Sequence, residues 1–271
     1  MSSVGAAGRF DVHQHVGIIP ELELESNETG TLQVDIRMRL AFMDAFGISQ
    51  AALMPAHSYS APNGLADVRS INQALLAYRQ AHPQRFPVTV GTLDARHGTK
   101  SIDEVEVLRK QGFQAISWHP RMQGLPMDHP VMFSIIDRMD SCGLVAMIHC
   151  FAGADFEEVW RFRRLAERFP DTTFIALDSM SSAETLHSVL DAARILGNIH
   201  VDLTISSLGP AGVAACIDQI GCHRLVFGTN YYSLTKRSRL TELSDLERSG
   251  LTDAETALIT GGNARRIFGM S

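Results

Sequence analysis

A regular rhythm narrows the folds open to this chain. Short apolar, β-leaning runs recur, each followed by a longer amphipathic stretch. The runs are FDVHQHV (10–16), QAALMPA (50–56), FPVTVGTLDA (86–95), FQAISWHP (113–120), LVAMIHCF (144–151), TTFIALDSM (172–180), NIHVDLTIS (198–206) and RLVFGTNYY (224–232). Between them, VDIRMRLAFMDAFG carries apolar residues at three- and four-residue steps, with Gly47 where a helix should stop. DFEEVWRFRRLAERFPD places acids in its first turn and Pro170 near its end. Strand and helix alternating eight times within 271 residues predict an α/β chain folded as one (β/α)8 TIM-like barrel, a single domain over 1–271. An open doubly wound sheet is the rival, but no G-x-G-x-x-G follows the first run. No Pro/Ser-rich linker or abrupt charge shift marks a domain boundary.

Composition excludes some function classes. A net charge of −6 argues against a nucleic-acid binder, which needs clustered Lys and Arg. No run is apolar enough to suggest a membrane span or a signal segment. The four cysteines lack C-x-x-C spacing, which points to a reduced, cytoplasmic protein of enzyme size.

The barrel also explains where the unusual polar residues fall. His13, His15, His119, His149, Asp178 and Asn230 each lie at or near the C-terminal end of a predicted strand, the rim on which barrels build active sites. In FDVHQHV, Asp11, His13 and His15 occupy every second position and are expected on one face, neighbours roughly 6–7 Å apart. Two imidazoles so spaced can lean onto one ion, with bonds of about 2.0–2.1 Å to zinc. His149 ends the otherwise apolar strand LVAMI and supplies a third imidazole from the opposite wall. Histidines joined by a carboxylate suit one divalent metal: zinc first, manganese or iron as alternatives. Asp11, one layer deeper, is expected to orient a histidine or close a buried hydrogen bond, as carboxylates around metal-bound histidines do.

These segments resemble the amidohydrolase superfamily. DVHQHV, GFQAISWHP, LVAMIH, RLVFGTNYY and the closing GNARRIFG look like its amidohydrolase-related branch, which includes aminocarboxymuconate semialdehyde decarboxylase. The resemblance implies a distorted (β/α)8 barrel with one divalent metal on His13, His15 and His149. It also implies either hydrolysis of a C–N or C–O bond or non-oxidative decarboxylation. Two positions depart from the family pattern. Its strand-eight Asp, a ligand and proton-transfer group, is Asn230 here, and its strand-six His is Asp178. Asn cannot take up a proton at neutral pH, so the carboxylate function is expected to have moved to Asp178, as fourth ligand or base. Asp178 could instead cap the following helix, although Ser179, Ser181 and Ser182 are equally good caps.

The first expectation is therefore a metal-dependent hydrolase of a small cyclic, amide or ester-like substrate, anionic ones included, with Asn230 orienting it. Decarboxylation of an aromatic or enoic acid on the same site is the alternative. A degenerate barrel that only binds a small molecule or partner is a third reading. His119, Arg121 and Tyr231 are the expected substrate contacts, with Tyr232, Lys236, Arg237 and Arg239 in the same rim loop. Asp94 and Asp202 are expected to be structural or to support a ligand, Cys150 to pack, and His187 to have no role. A homo-oligomer is compatible with such a barrel, but no segment identifies an interface.

Overall fold

The computed structural model describes residues 8–19, 24–25, 32–233 and 239–270. Each of the eight runs contains one strand of a parallel sheet: β1 (Arg9–Val16), β2 (Ile48–Pro55), β3 (Val88–Thr92), β4 (Ala115–Trp118), β5 (Val145–His149), β6 (Phe174–Leu177), β7 (Ile199–Asp202) and β8 (Leu225–Val226). The order of this eight-stranded sheet follows the sequence, and every ladder within it is parallel. The seam between β8 and β1 is closed by a few backbone bonds: the Val12 amide donates to Phe227 O and the His15 amide to Tyr231 O, both at 2.9 Å, and the Tyr231 amide to His13 O at 3.4 Å. The fold is a single-domain TIM barrel.

Helices α1 (Leu32–Ala45), α2 (Leu65–Ala81), α3 (Thr99–Lys110), α4 (Pro130–Cys142), α5 (Val159–Arg168), α6 (Ala183–Ile195), α7 (Gly209–Ile220) and α8 (Thr241–Arg248) each follow a strand. Among the described residues no helix is long and apolar enough to cross a membrane.

Period-two alternation sorts each strand into two cores. Outward residues such as Leu53, Ile116, Ile148, Phe174 and Phe227 pack with the helices. Inward residues, among them Val88, Val90, Met147, Ile175 and Val226, fill the lower barrel. The C-terminal segment seals the floor, where Phe268 stacks on Phe10 with ring centres 6.1 Å apart. With the lower barrel packed with hydrocarbon, polar inward residues collect at the C-terminal mouth.

One expectation about β1 needs correcting: Asp11, His13 and His15 do not share a face. Between the pairs Asp11–Ala51 and Gln14–Leu53, β1 advances three residues while β2 advances two. This bulge resets the alternation. Phe10 and Val12 join the inner core, while Asp11 bonds Gln14 and Thr229 at the seam. Past the bulge, both imidazoles turn into the mouth.

Candidate metal centre

His13, His15 and His149 come together as the sequence suggests. One ring nitrogen from each lies within 4.8 Å of the others, and the three residues are at most 1% exposed. Their orientation follows from what holds the other nitrogen. Nδ1 of His15 donates to Pro55 O at 2.8 Å, and Nδ1 of His149 to Trp118 O at 2.7 Å. Nδ1 of His13 donates to the Asp202 carboxylate at 2.6 Å. Carbonyl and carboxylate oxygens only accept, so each Nε2 is left bearing a lone pair.

Those lone pairs converge. Nε2 of His13 and Nε2 of His15 are 2.8 Å apart, where two bare lone pairs repel unless positive charge lies between them. Among the described residues, Nε2 of His149 and Oδ1 of Asn230 are buried without a hydrogen-bond partner, a state that normally costs about 1–3 kcal/mol. A divalent cation accepted by the imidazoles satisfies all three Nε2 atoms together, and the donor set suits it. Burial, reinforced by the neighbouring imidazoles, holds His15 and His149 well below the usual histidine range, which keeps them neutral as ligands must be. Burial acts on His13 in the same direction, but the Asp202 carboxylate outweighs it and raises that ring.

Asp178 follows β6 directly with a left-handed backbone (φ 57°), and Asn230, in the segment that continues from β8, has one too (φ 49°). Such conformations are uncommon outside glycine and concentrate at functional sites. The Asp178 carboxylate lies 3.9 Å from Nε2 of His149 and groups with His119 and His149, and with His13 and Asp202. Burial first, then the Asp202 charge, raises its pKa above the ordinary carboxylate value. The cap of α6 is Ser182, whose hydroxyl accepts the Thr185 amide at 3.1 Å, so Asp178 has no capping duty.

The remaining expectations divide. Asp11 is a seam tie: its carboxylate accepts the His13 and Thr229 amides at 3.0 Å, Gln14 Nε2 at 2.7 Å and the Thr229 hydroxyl at 2.6 Å, while burial lifts it to about 6. Asp94 caps a short turn and pairs with Arg96, Cys150 packs in the outer core, and His187 is exposed on α6. His119 stacks flat on His149, 4.1 Å apart, its Nδ1 held by Glu157 at 2.5 Å. Arg121 is exposed, its guanidinium 4.3 Å over Phe151.

Tyr231 is not at the mouth. Alternation beyond β8 turns it outward with Leu225 and Phe227, and it stacks on Phe42 of α1 at 3.9 Å. Its neighbour Tyr232 faces inward and stacks on His15 at 4.7 Å. Lys236 and Arg237 lie outside the described residues, and Arg239 bonds Ser244 at 3.0 Å.

Sequence reasoning passed over His57. It directly follows the second run, is 2% exposed, and its ring lies 5.5 Å from that of His149 and 6.1 Å from that of His15. Ser117 Oγ sits 3.1 Å from its Nε2, and burial, then His119 and His13, lowers it well below the usual range. It lines a cleft of about 340 Å³ whose walls include Val16, Ala56, Val68, Ile71 and Leu93. Its signal was position alone, a histidine just past the end of a barrel strand.

The amidohydrolase family model matches residues 10–270. The chain belongs to the amidohydrolase family. No curated protein matches its sequence. Solved structures similar to this amidohydrolase include a 2,6-dihydroxybenzoate decarboxylase complexed with 2,6-dihydroxybenzoate, at TM-score 0.74 and 16% identity over 97% of this chain and 99% of that one. The 5-carboxyvanillate decarboxylase of Sphingomonas paucimobilis is similar at TM-score 0.71 and 16% identity, over 97% and 99% of the two chains. A dihydroxybenzoic acid decarboxylase of Polaromonas sp., with bound manganese and the inhibitor 2-nitroresorcinol, gives TM-score 0.73 and 15% identity over 97% of each chain. At these identities the likeness is one of fold.

Proposed function

We propose that this amidohydrolase is a metal-dependent, non-oxidative decarboxylase of an aromatic or enoic acid, replacing a carboxylate on carbon by a proton and releasing CO2. The observation that carries the reading is the cleft at His57, walled mainly by apolar side chains with Thr92, Asp94 and Gln123 among them, beside a ligand set sealed from water. Loss of CO2 disperses the charge of a carboxylate, so a dry, apolar setting favours it. Hydrolysis, the first expectation, needs water admitted to the ion, and the three histidines are at most 1% exposed. The decarboxylases among the similar folds support the same choice.

His13, His15 and His149 would hold the metal, with Asn230 Oδ1 available to complete its donors. When bound, the cation supplies positive charge for the substrate carboxylate or an adjacent oxygen. The protein's own groups do the rest. Thr204 Oγ lies 2.8 Å from Asp202 Oδ2 and 3.0 Å from Asp178 Oδ1, and its single hydroxyl proton satisfies only one of them. Asp178, raised by burial, is the carboxyl that carries the additional proton and delivers it to the ring carbon as the bond to CO2 breaks. His57 and His119, the latter oriented by Glu157, border the substrate, and Arg121 offers a cation at the rim.

The test is to incubate manganese-loaded protein with 2,6-dihydroxybenzoate and related hydroxylated aromatic acids in D2O. CO2 release with one deuterium at the vacated carbon is expected. Hydrolysed amides or esters carrying oxygen from labelled water, with no CO2 from any acid, would replace this reading by hydrolysis.

A further inference from the structure

Behind the metal ligands, on the outer side of β1, lies a charged group that catalysis does not use. Arg39 of α1 is 0% exposed. Its Nη2 donates to the carbonyl of His15 at 2.8 Å, and its Nη1 to Gln14 Oε1 at 3.2 Å. The same guanidinium pairs with Asp35, one turn earlier on α1, at 3.1 Å. Asp35 also accepts the Tyr78 hydroxyl at 2.6 Å and the Ser233 hydroxyl. Tyr231 lies under the guanidinium, 5.2 Å from its ring centre. Gln14 in turn donates to Asp11, which holds Thr229 across the seam.

Here the sheet is weakest. Beside His13 and His15, β1 has only an isolated bridge, Gln14 to Tyr231, in place of a ladder to β8. The strand is also bulged, yet both imidazoles must arrive at one point. A buried ion pair adds little net stability, because desolvation offsets the attraction. What this one does is fix backbone: it grips the His15 carbonyl and the side chain between the two ligands.

We propose that Arg39 is a positioning residue for the metal centre, holding residues 14–15 in the shape that aims His13 and His15 at a common ion. This rests on the reading of the three imidazoles as a metal site. Arg39 touches neither metal nor substrate. It acts through the His15 carbonyl and Gln14, and Asp35 keeps its fork in place.

Co2+ titration of the metal-free full chain tests this, reading affinity and the visible ligand-field spectrum together, with the melting temperature of each metal-free variant alongside. Arg39→Lys keeps the charge but cannot span Asp35, the His15 carbonyl and Gln14 at once. Its Co2+ affinity is expected to fall roughly 10–100-fold with a shifted spectrum. Gln14→Met, a milder variant should Arg39→Lys fail to fold, is expected to fall in the same direction by less. Tyr78→Phe removes a bond to Asp35 while sparing Arg39, and is expected to lower the melting temperature but leave affinity and spectrum unchanged. Wild-type affinity and spectrum in Arg39→Lys, or in Gln14→Met should Arg39→Lys fail to fold, overturn the proposal. So does a loss in Tyr78→Phe matching that of the Arg39 variant. Failure of the wild type to bind Co2+ overturns the metal reading itself, a separable outcome.

Discussion

Replacing Asp202 by Asn is expected to weaken metal binding while leaving the barrel folded. Every hydrogen-bond partner of this carboxylate is a donor. Oδ1 accepts the Thr204 amide at 3.1 Å, and Oδ2 accepts the Thr204 hydroxyl at 2.8 Å and Nδ1 of His13 at 2.6 Å. A backbone amide cannot reverse its role, so the Asn oxygen must stay at the Oδ1 position. Its NH2 then faces the His13 ring, and Nδ1 must become an acceptor. The ring proton moves to Nε2, the nitrogen aimed at His15 and the ion, and a protonated nitrogen cannot bind metal. Loss of a group that orients a metal-bound histidine typically costs roughly 10–100-fold in affinity, about 1.4–2.8 kcal/mol. The upper end is expected here because the tautomer itself is inverted. Calorimetric titration of wild type and Asp202→Asn with manganese measures the loss, and nitrogen-15 spectra of the histidine rings report which nitrogen of His13 carries the proton. Unchanged affinity, or a proton still on Nδ1 in the variant, would refute the reasoning.

Other outcomes follow from the same geometry. Asp178→Asn should lower the rate of CO2 release by about 10²–10⁴, the usual span for a lost general acid, with far smaller change in manganese affinity; equal losses in both would make Asp178 a ligand rather than a proton carrier. His200, inside the barrel on β7, is pushed down to about 4 by burial, with Arg266, Arg224 and His223 adding to it. The unfolded chain therefore gains its proton near pH 6.5 and the folded one only near 4, so stability present above 6.5 is lost as pH falls across that window, by up to about 3 kcal/mol. His200→Met should flatten the stability–pH curve between those limits relative to wild type, with Asp11 acting equally in both proteins. Denaturant midpoints at stepped pH measure this, and an unaltered slope would contradict it. At Gly228, a Cβ would stand 2.4 Å from Asp202 Oδ1 and 2.8 Å from His13 Cβ, so Gly228→Ala should cost about 1–3 kcal/mol and weaken metal binding, read by thermal melts with and without manganese.

The sequence carried the barrel because its signal is local and repeated. Eight apolar runs, each bounded by a helical stretch, leave few arrangements. The three imidazoles were legible for the same reason, since strand ends of a barrel converge wherever the loops go. What escaped depended on non-local or finer geometry. The bulge in β1 is set by pairing with β2, so plain alternation put Asp11 on the wrong face. Glu157 reaches His119 from beyond the next strand, and no spacing links residues so far apart. Arg39 sits on α1 with helical periodicity and looks like any other helix cation until β1 is packed beside it. Tyr231 is different: counting outward from Leu225 and Phe227 would have shown that Tyr232, not Tyr231, faces the mouth.

The most direct measurement is a crystal structure of protein purified without chelator, with anomalous data collected at the absorption edges of zinc and manganese. A single strong peak bonded to Nε2 of His13, His15 and His149, at about 2.0–2.1 Å if the ion is zinc, is the predicted result. Well-ordered imidazoles with no anomalous peak among them, even after soaking in either metal, would contradict it.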